Sequence, residues 1–258
     1  MPAMSSLHAI AVVPARFDSQ RFPGKVLAEV GGRPLIQWVY ERAAAAARVD
    51  RAYVATDSDR VEQACRVFTE DVWLSKAPHS SGTDRVAEIA REIEAEIFVN
   101  VQTDEPMMDP DLVDALIELL DREKVDFASA VAPIHDMRDF LDPNVVKVVC
   151  DARGDALYFS RAPIPWPRGV SLAPDTPWPA GLRAFKHIGI YAYRRDALLE
   201  LSELPRAETE ETESLEQLRV LDRGWKMRIL EWDYTGIGVD TESDLDRLRK
   251  YVRKQSSS

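Results

Sequence analysis

The chain has 258 residues, with 33 Lys and Arg against 44 Asp and Glu and a formal net charge of −11. Its length is ample for a proper core in one large domain, and its acidic balance argues against a nucleic-acid coat or an anionic membrane surface as partner. Cys65 and Cys150 have no metal-ligand spacing and give no disulfide framework, residues 1–8 lack the basic start and apolar run of a signal peptide, and no stretch reaches the ~18 apolar residues of a membrane span, so a cytoplasmic protein is expected.

Residues 10–13 are a short apolar run that breaks at Pro14, which reads as a buried strand ending at the carboxyl edge of a sheet. A basic loop follows, holding Arg16, Arg21 and Lys25, with Gly24 beside the last. Residues 35–47 predict an Ala-rich helix, 51–56 a strand, 60–68 a helix, 71–74 a short strand and 84–94 a helix. Residues 96–102 read as a central strand and 110–122 as the next helix. This alternation predicts a largely parallel, right-handed, doubly wound sheet.

The second half reads differently. Residues 145–149 and 156–159 look like strands around a turn at Gly154, and the proline-dense stretch 163–181 like an ordered, irregular loop. A strand is expected over 188–193, then one acidic-to-amphipathic helix over 209–221 with Leu215, Leu218 and Leu221 on one face. Strands at 227–232 and 236–240 and a closing helix at 241–251 complete the pattern.

In open α/β sheets, ligands bind in the crevice beyond the carboxyl ends of the strands. A basic, Gly-containing loop there suits a polyphosphate, because backbone N–H groups and cations can surround it. It is not a G-x-x-x-x-G-K-[ST] loop, and a solvated basic loop is the plainer alternative. Asp104 lies just past the central strand; it is either part of a polar turn closed by Pro106 or a hard oxygen ligand for Mg²⁺ beside the phosphates. Asp240 is a candidate second carboxylate, with the alternative of a helix cap, by itself or by Thr241 with Asp244 in a capping box. Ser80 to Arg85 form a helix entrance, in which Thr83 and Arg85 either serve the helix or read the polar edge of a base. Arg161, His187 with Tyr191 on the same strand face, and Glu216-Gln217 are further markers, each ordinary when taken alone.

In order, VVPAR, RFPGK, VATD, SGTDR, VNVQ, DEP, PNVVKVV, ALYFSRAPIPW, KHIGIYAY, SLEQLRVL and GVDTESDL resemble the 3-deoxy-manno-octulosonate (KDO) cytidylyltransferases, or CMP-KDO synthetases, across residues 10–251. The resemblance implies a nucleotide-diphospho-sugar transferase-like α/β fold, with a Rossmann-like, mixed but mostly parallel sheet and helices on both faces. It implies one domain over residues 10–253, with 10–130 mainly binding nucleotide and 131–253 serving the acceptor and a dimer contact, between tails at 1–9 and 254–258. The implied reaction joins CMP from CTP to a small acidic acceptor and releases pyrophosphate, with Mg²⁺, in a homodimer with no nucleic-acid or membrane partner.

Carried over by position, Arg16, Arg21, Lys25 and Asp104 would be catalytic, and Asp104 and Asp240 would hold the metal. Pro14, Ala15, Arg16, Lys25, Ser81, Gly82, Thr83, Arg85 and Gln102 would bind the nucleotide. Gln102, Thr103, Arg161, His187, Tyr191, Glu216 and Gln217 would line the acceptor pocket. Two features depart from the family pattern: Thr103 stands where glycine is usual, and residues 207–210, at the polyacidic run 208–213, stand in place of an S-P-L-E-like stretch. A threonine there is expected to narrow the pocket or strain a backbone that favours glycine. KDO is therefore the default acceptor, and a smaller acid or a phosphonate such as phosphonoformate the alternative. A nucleotide sensor without turnover is the alternative of another class, against which the joint retention of Arg16, Lys25, Asp104 and Asp240 argues.

Overall fold

The computed structural model describes residues 8–18, 22–75, 79 and 81–255; Arg21 and Ser80 lie outside them. The first half runs β1 (Ala9–Ala15), a 3-10 turn (Lys25–Leu27), β2 (Glu29–Val30), β3 (Arg33–Pro34), α1 (Leu35–Ala44), β4 (Arg51–Thr56), α2 (Asp59–Cys65), β5 (Val72–Leu74), α3 (Gly82–Glu92), β6 (Ile97–Val101) and α4 (Pro110–Glu123). The second runs β7 (Phe127–Pro133), α5 (Met137–Leu141), β8 (Lys147–Cys150), β9 (Ala156–Ser160), β10 (Phe185–Arg194), α6 (Arg195–Glu203), α7 (Glu208–Glu213), α8 (Leu218–Asp222), β11 (Met227–Glu231) and α9 (Glu242–Gln255).

The main sheet has the order β11-β7-β10-β6-β1-β4-β5, with β8 attached to β10 and β9 to β8. β1 pairs in parallel with β4 and β6, β4 with β5, and β7 with β11, whereas β10 runs antiparallel to β6, β7 and β8. The two-residue period of a strand sends alternate side chains to opposite faces. Ala11, Val13 and Val99 accordingly pack with Ile36 and Val39 of α1 and Leu112 and Leu116 of α4. Ile10, Val12 and Phe98 pack on the other face with Val86 and Ile89 of α3, Leu198 of α6 and Leu218 of α8. Helices on both faces of a mixed, mostly parallel sheet match the expected α/β class.

Several elements differ from the sequence expectation. β7 and α6 were not foreseen: the FASAVAP run of β7 is rich in Ala and Ser, which carry little strand signal. The helix expected over 209–221 is broken into α7 and α8 at Ser214, whose φ of 53° is left-handed. Carbonyls freed there are used from outside, as the Arg161 guanidinium donates to Glu213 O at 2.7 Å and to Ser214 O at 3.5 Å. Residues 236–239 form no ladder and are an extended coil rather than a strand. α9 continues to Gln255, past the expected start of the tail. Residues 163–181 hold no helix or strand, as expected, and Trp178 anchors them edge-on against Phe140.

Candidate active site

β1 and β6 both end at one edge of the sheet, and the antiparallel β10 begins there, because Ile190 pairs with Val101 at the end of β6. Three chain segments therefore meet at one place: Arg16 after β1, Gln102 to Glu105 after β6, and Lys186 to Tyr191 of β10. A cleft of about 1230 Å³ opens at this edge, lined among others by Arg16, Ser81, Gly82, Gln102, Asp104, Arg161, His187, Tyr191, Glu216, Gln217 and Asp240.

Lys25 lies behind two carboxylates that line the cleft. It is only 8% exposed, and its Nζ lies 3.4 Å from Asp240 Oδ1 and 3.9 Å from Asp104 Oδ2. The coil before α9 is tied to the Asp104 turn by the Val239 N–H donating to Asp104 O at 2.9 Å. A Cβ at Gly236 would collide with the Tyr234 ring, so this coil needs glycine where it passes that ring. The cap of α9 is formed by Thr241 and Asp244: the Thr241 N–H donates to Asp244 Oδ2 at 3.0 Å and the Asp244 N–H to Thr241 Oγ1 at 3.3 Å. The Asp240 carboxylate is thus left to face Lys25. Two partly exposed carboxylates converging on one ammonium, at the mouth of a cleft that also holds Arg16, form a hard-oxygen donor pair that fits Mg²⁺.

The first turn of α3 forms the next wall. Ser81 caps the helix, accepting from the Asp84 N–H at 3.1 Å. A Cβ at Gly82 would lie 3.4 Å from both Pro14 Cγ and the Asn100 side chain, so this turn lies close against the ends of β1 and β6. Glu216 reaches across from the α7–α8 break, and the Thr83 N–H donates to its Oε2 at 3.2 Å. Burial raises the Glu216 carboxyl above its ordinary value, partly offset by bonds from Thr83 and Ser81 at the positive end of the helix.

Two expected base readers are placed elsewhere. Arg85 is fully buried, off the cleft, and donates to Asp57 Oδ2 at 2.8 Å and to Ala15 O at 3.5 Å. It braces the end of β1 and holds the Asp57 carboxyl below its usual range. The Thr83 hydroxyl sits 3.2 Å from Tyr193 OH inside the core. A residue in the first turn of a helix can face the groove or the sheet, and its identity alone does not say which.

Further along the lining, Tyr191 OH donates to Gln217 Oε1 at 3.0 Å, and Gln217 Nε2 is an enclosed donor with no hydrogen-bond partner. His187 Nε2 lies 2.8 Å from Ser129 Oγ, and burial pushes its imidazole down to about 3. Arg161 lines the cleft while donating to Glu213 O and to Pro143 O at 3.0 Å, so it also braces the wall. Thr103 corrects an expectation. It does not line the cleft, and the non-glycine residues with positive φ among those described are Lys124 and Ser214. Neither the expected narrowing nor the expected strain is found.

The sequence reading also missed residues. Glu105 lines the cleft and accepts from Tyr234 OH at 2.6 Å; burial and then the neighbouring Asp104 charge push it up to about 7. It sits in the quoted DEP motif, but only burial distinguishes it from a solvated carboxylate. Lys186, Arg206 and Arg247 add cations to the cleft. Lys186 directly precedes His187, which was the available signal.

The family described as "Cytidylyltransferase" matches residues 10–229. A 3-deoxy-manno-octulosonate cytidylyltransferase of Solibacter usitatus is 47% identical over 95% of this chain and 94% of its own length, and one of Syntrophotalea carbinolica is 45% identical over 94% and 98%. A solved CMP:2-keto-3-deoxy-manno-octonic acid synthetase complexed with CTP matches with a TM-score of 0.87 and 42% identity, over 96% of this chain and 99% of that one. A 4-diphosphocytidyl-2C-methyl-D-erythritol synthase from Anaerococcus prevotii, at 13% identity and a TM-score of 0.60, shares the fold. With its predicted α/β architecture borne out and its relatives matched over nearly the whole length, the chain belongs to the 3-deoxy-manno-octulosonate cytidylyltransferase family of CTP-dependent nucleotidyltransferases.

Proposed function

We propose that this cytidylyltransferase uses KDO as its acceptor, forming CMP-KDO and pyrophosphate from CTP in a Mg²⁺-dependent reaction. The observation that carries the reading is the convergence of Asp104 and Asp240 on Lys25, at a cleft that His187, Tyr191 and Gln217 also line. Arg16 and Lys25 neutralise the triphosphate, and the first turn of α3, through Ser81 and Gly82, meets the nucleotide. Asp104 and Asp240 would hold the metal, which would supply charge neutralisation beside the phosphates and make the attacking hydroxyl more acidic. The protein itself contributes mainly position and electrostatics, as nucleotidyl transfer requires. Arg21 belongs to the same proposal by resemblance, and lies outside the described residues.

Thr103 no longer favours a smaller acid, since it stands off the cleft. The homodimer is part of the reading. It is supported by β9, which pairs in the sheet with β8 alone among the described residues, and by the exposed Leu157 that β9 carries. No helix among the described residues is long and apolar enough to cross a membrane.

The test is pyrophosphate release from CTP and Mg²⁺ with KDO and phosphonoformate in parallel. Strong release with KDO is expected, and release with phosphonoformate alone would overturn the acceptor assignment. Asp104→Asn and Asp240→Asn should each lower kcat by about a hundredfold or more while the protein still binds CTP. Unchanged turnover in both variants would remove these residues from the metal site.

A further inference from the structure

β10 leaves register with β7 between Ile188 and Tyr191: Ile188 faces Ala130, whereas Tyr191 faces the adjacent Ser129. Gly189 and Ile190 are the extra residues of a bulge, a device that interrupts the ladder and re-aims side chains. Gly189 lets the bulge lie against the Asp104 loop, where the Gln102 N–H donates to Gly189 O at 3.3 Å. The Ile190 carbonyl is met by a side chain, because Ser129 Oγ donates to it at 2.8 Å.

That bond fixes a proton. A carbonyl oxygen only accepts, so the single hydroxyl proton of Ser129 is committed to Ile190. The same Oγ lies 2.8 Å from His187 Nε2, and towards that nitrogen it can only accept. Nε2 therefore carries the ring proton. With the imidazole pushed down to about 3 the ring is neutral, so Nδ1 carries a lone pair. His187 lines the cleft, and its Nδ1 is not among the enclosed polar atoms that lack a partner. Nδ1 is thus the ring nitrogen that Ser129 leaves for a ligand in the cleft that His187 lines.

We propose that Ser129 is a positioning residue that holds His187 as the Nε2–H tautomer, so that His187 presents only a hydrogen-bond acceptor to the pocket and selects substrates with a hydroxyl at that point. The inference rests on the acceptor-side role given to His187 above, and it deepens that role. A polyhydroxylated sugar acid supplies an O–H donor to Nδ1. A small phosphonate acid presents chiefly ionised oxygens, which would face a lone pair and gain no bond.

The chain has four histidines, His8, His79, His135 and His187, so ¹⁵N-histidine labelling gives an assignable spectrum. In the wild-type protein at neutral pH, long-range ¹H–¹⁵N correlations should show His187 neutral and protonated at Nε2. A ring protonated at Nδ1, or at both nitrogens, overturns the proposal whatever any variant does. In kinetics with CTP and KDO, Ser129→Ala should raise the KM for KDO about three- to tenfold and leave the KM for CTP unchanged. The same substitution made in His187→Gln should add no further loss, because its effect runs through the ring. An equal loss in that background, or a parallel rise in the KM for CTP, shows that Ser129 supports the fold rather than the histidine. Absence of wild-type turnover with KDO would defeat the acceptor assignment, while the tautomer would still be decided by the spectrum.

Discussion

At the scale of single residues, Thr103 shows how a sound sequence argument can be reversed by placement. Threonine where glycine is usual suggested a narrowed pocket, but its side chain is off the cleft and its backbone is not left-handed. Thr103→Gly should therefore leave the KM for the acceptor within about twofold of wild type, and should cost about 0.5–1 kcal/mol of stability by freeing the unfolded chain. Acceptor titrations and urea midpoints measure the two effects, and a marked gain in acceptor range would restore the steric argument. That Arg16, Asp104 and His187 line the cleft was legible, because each flanks an apolar run and strand ends face the crevice. Thr83 and Arg85 were not, because polarity does not reveal that both turn inward to brace the sheet. Ser129 had no signal at all, since its importance arises from a bulge in a strand far along the chain.

At the scale of elements, the wall proposed for the acceptor is assembled from pieces that have little regular structure of their own. Lys147, fully buried at the start of β8, donates to the carbonyls of Asp142, Val145 and Arg161 and so joins the turn before β8 to the end of β9. Burial pushes its ammonium down to about 8. Lys147→Met keeps the volume of the side chain and leaves three carbonyls without their donor. It should destabilise the protein by about 2–4 kcal/mol, and a urea midpoint like that of wild type would show that water replaces the ammonium. The helices and parallel strands of the first half were readable from periodicity because both faces are buried and caps mark their starts. The break between α7 and α8 was not, because Ser214 adopts a left-handed backbone that glycine or asparagine would have announced. That break puts Glu216 and Gln217 at the cleft instead of on the side of a continuous helix.

At the scale of the whole molecule, the two halves named in the sequence share one sheet. β10, from the second half, lies between β6 and β7 and hydrogen-bonds to both. Far-UV circular dichroism and tryptophan fluorescence should therefore report coincident unfolding curves in urea. Two separated transitions would mean that the halves unfold on their own. The α/β class was legible from the order of elements, whereas the antiparallel insertion of β10 was not, because pairing partners distant in sequence leave no local trace. The Glu216 bond to the α3 amide has a consequence at this scale as well. On the reading above, a carboxylate from the acceptor wall occupies the positive end of the helix that meets the nucleotide. A ligand that shifts this carboxylate changes how strongly the helix end attracts the other substrate, and reciprocity makes the effect equal in both directions. The two substrates are then linked free energies rather than independent guests, and an inhibitor filling one subsite retunes the affinity of its neighbour without touching it.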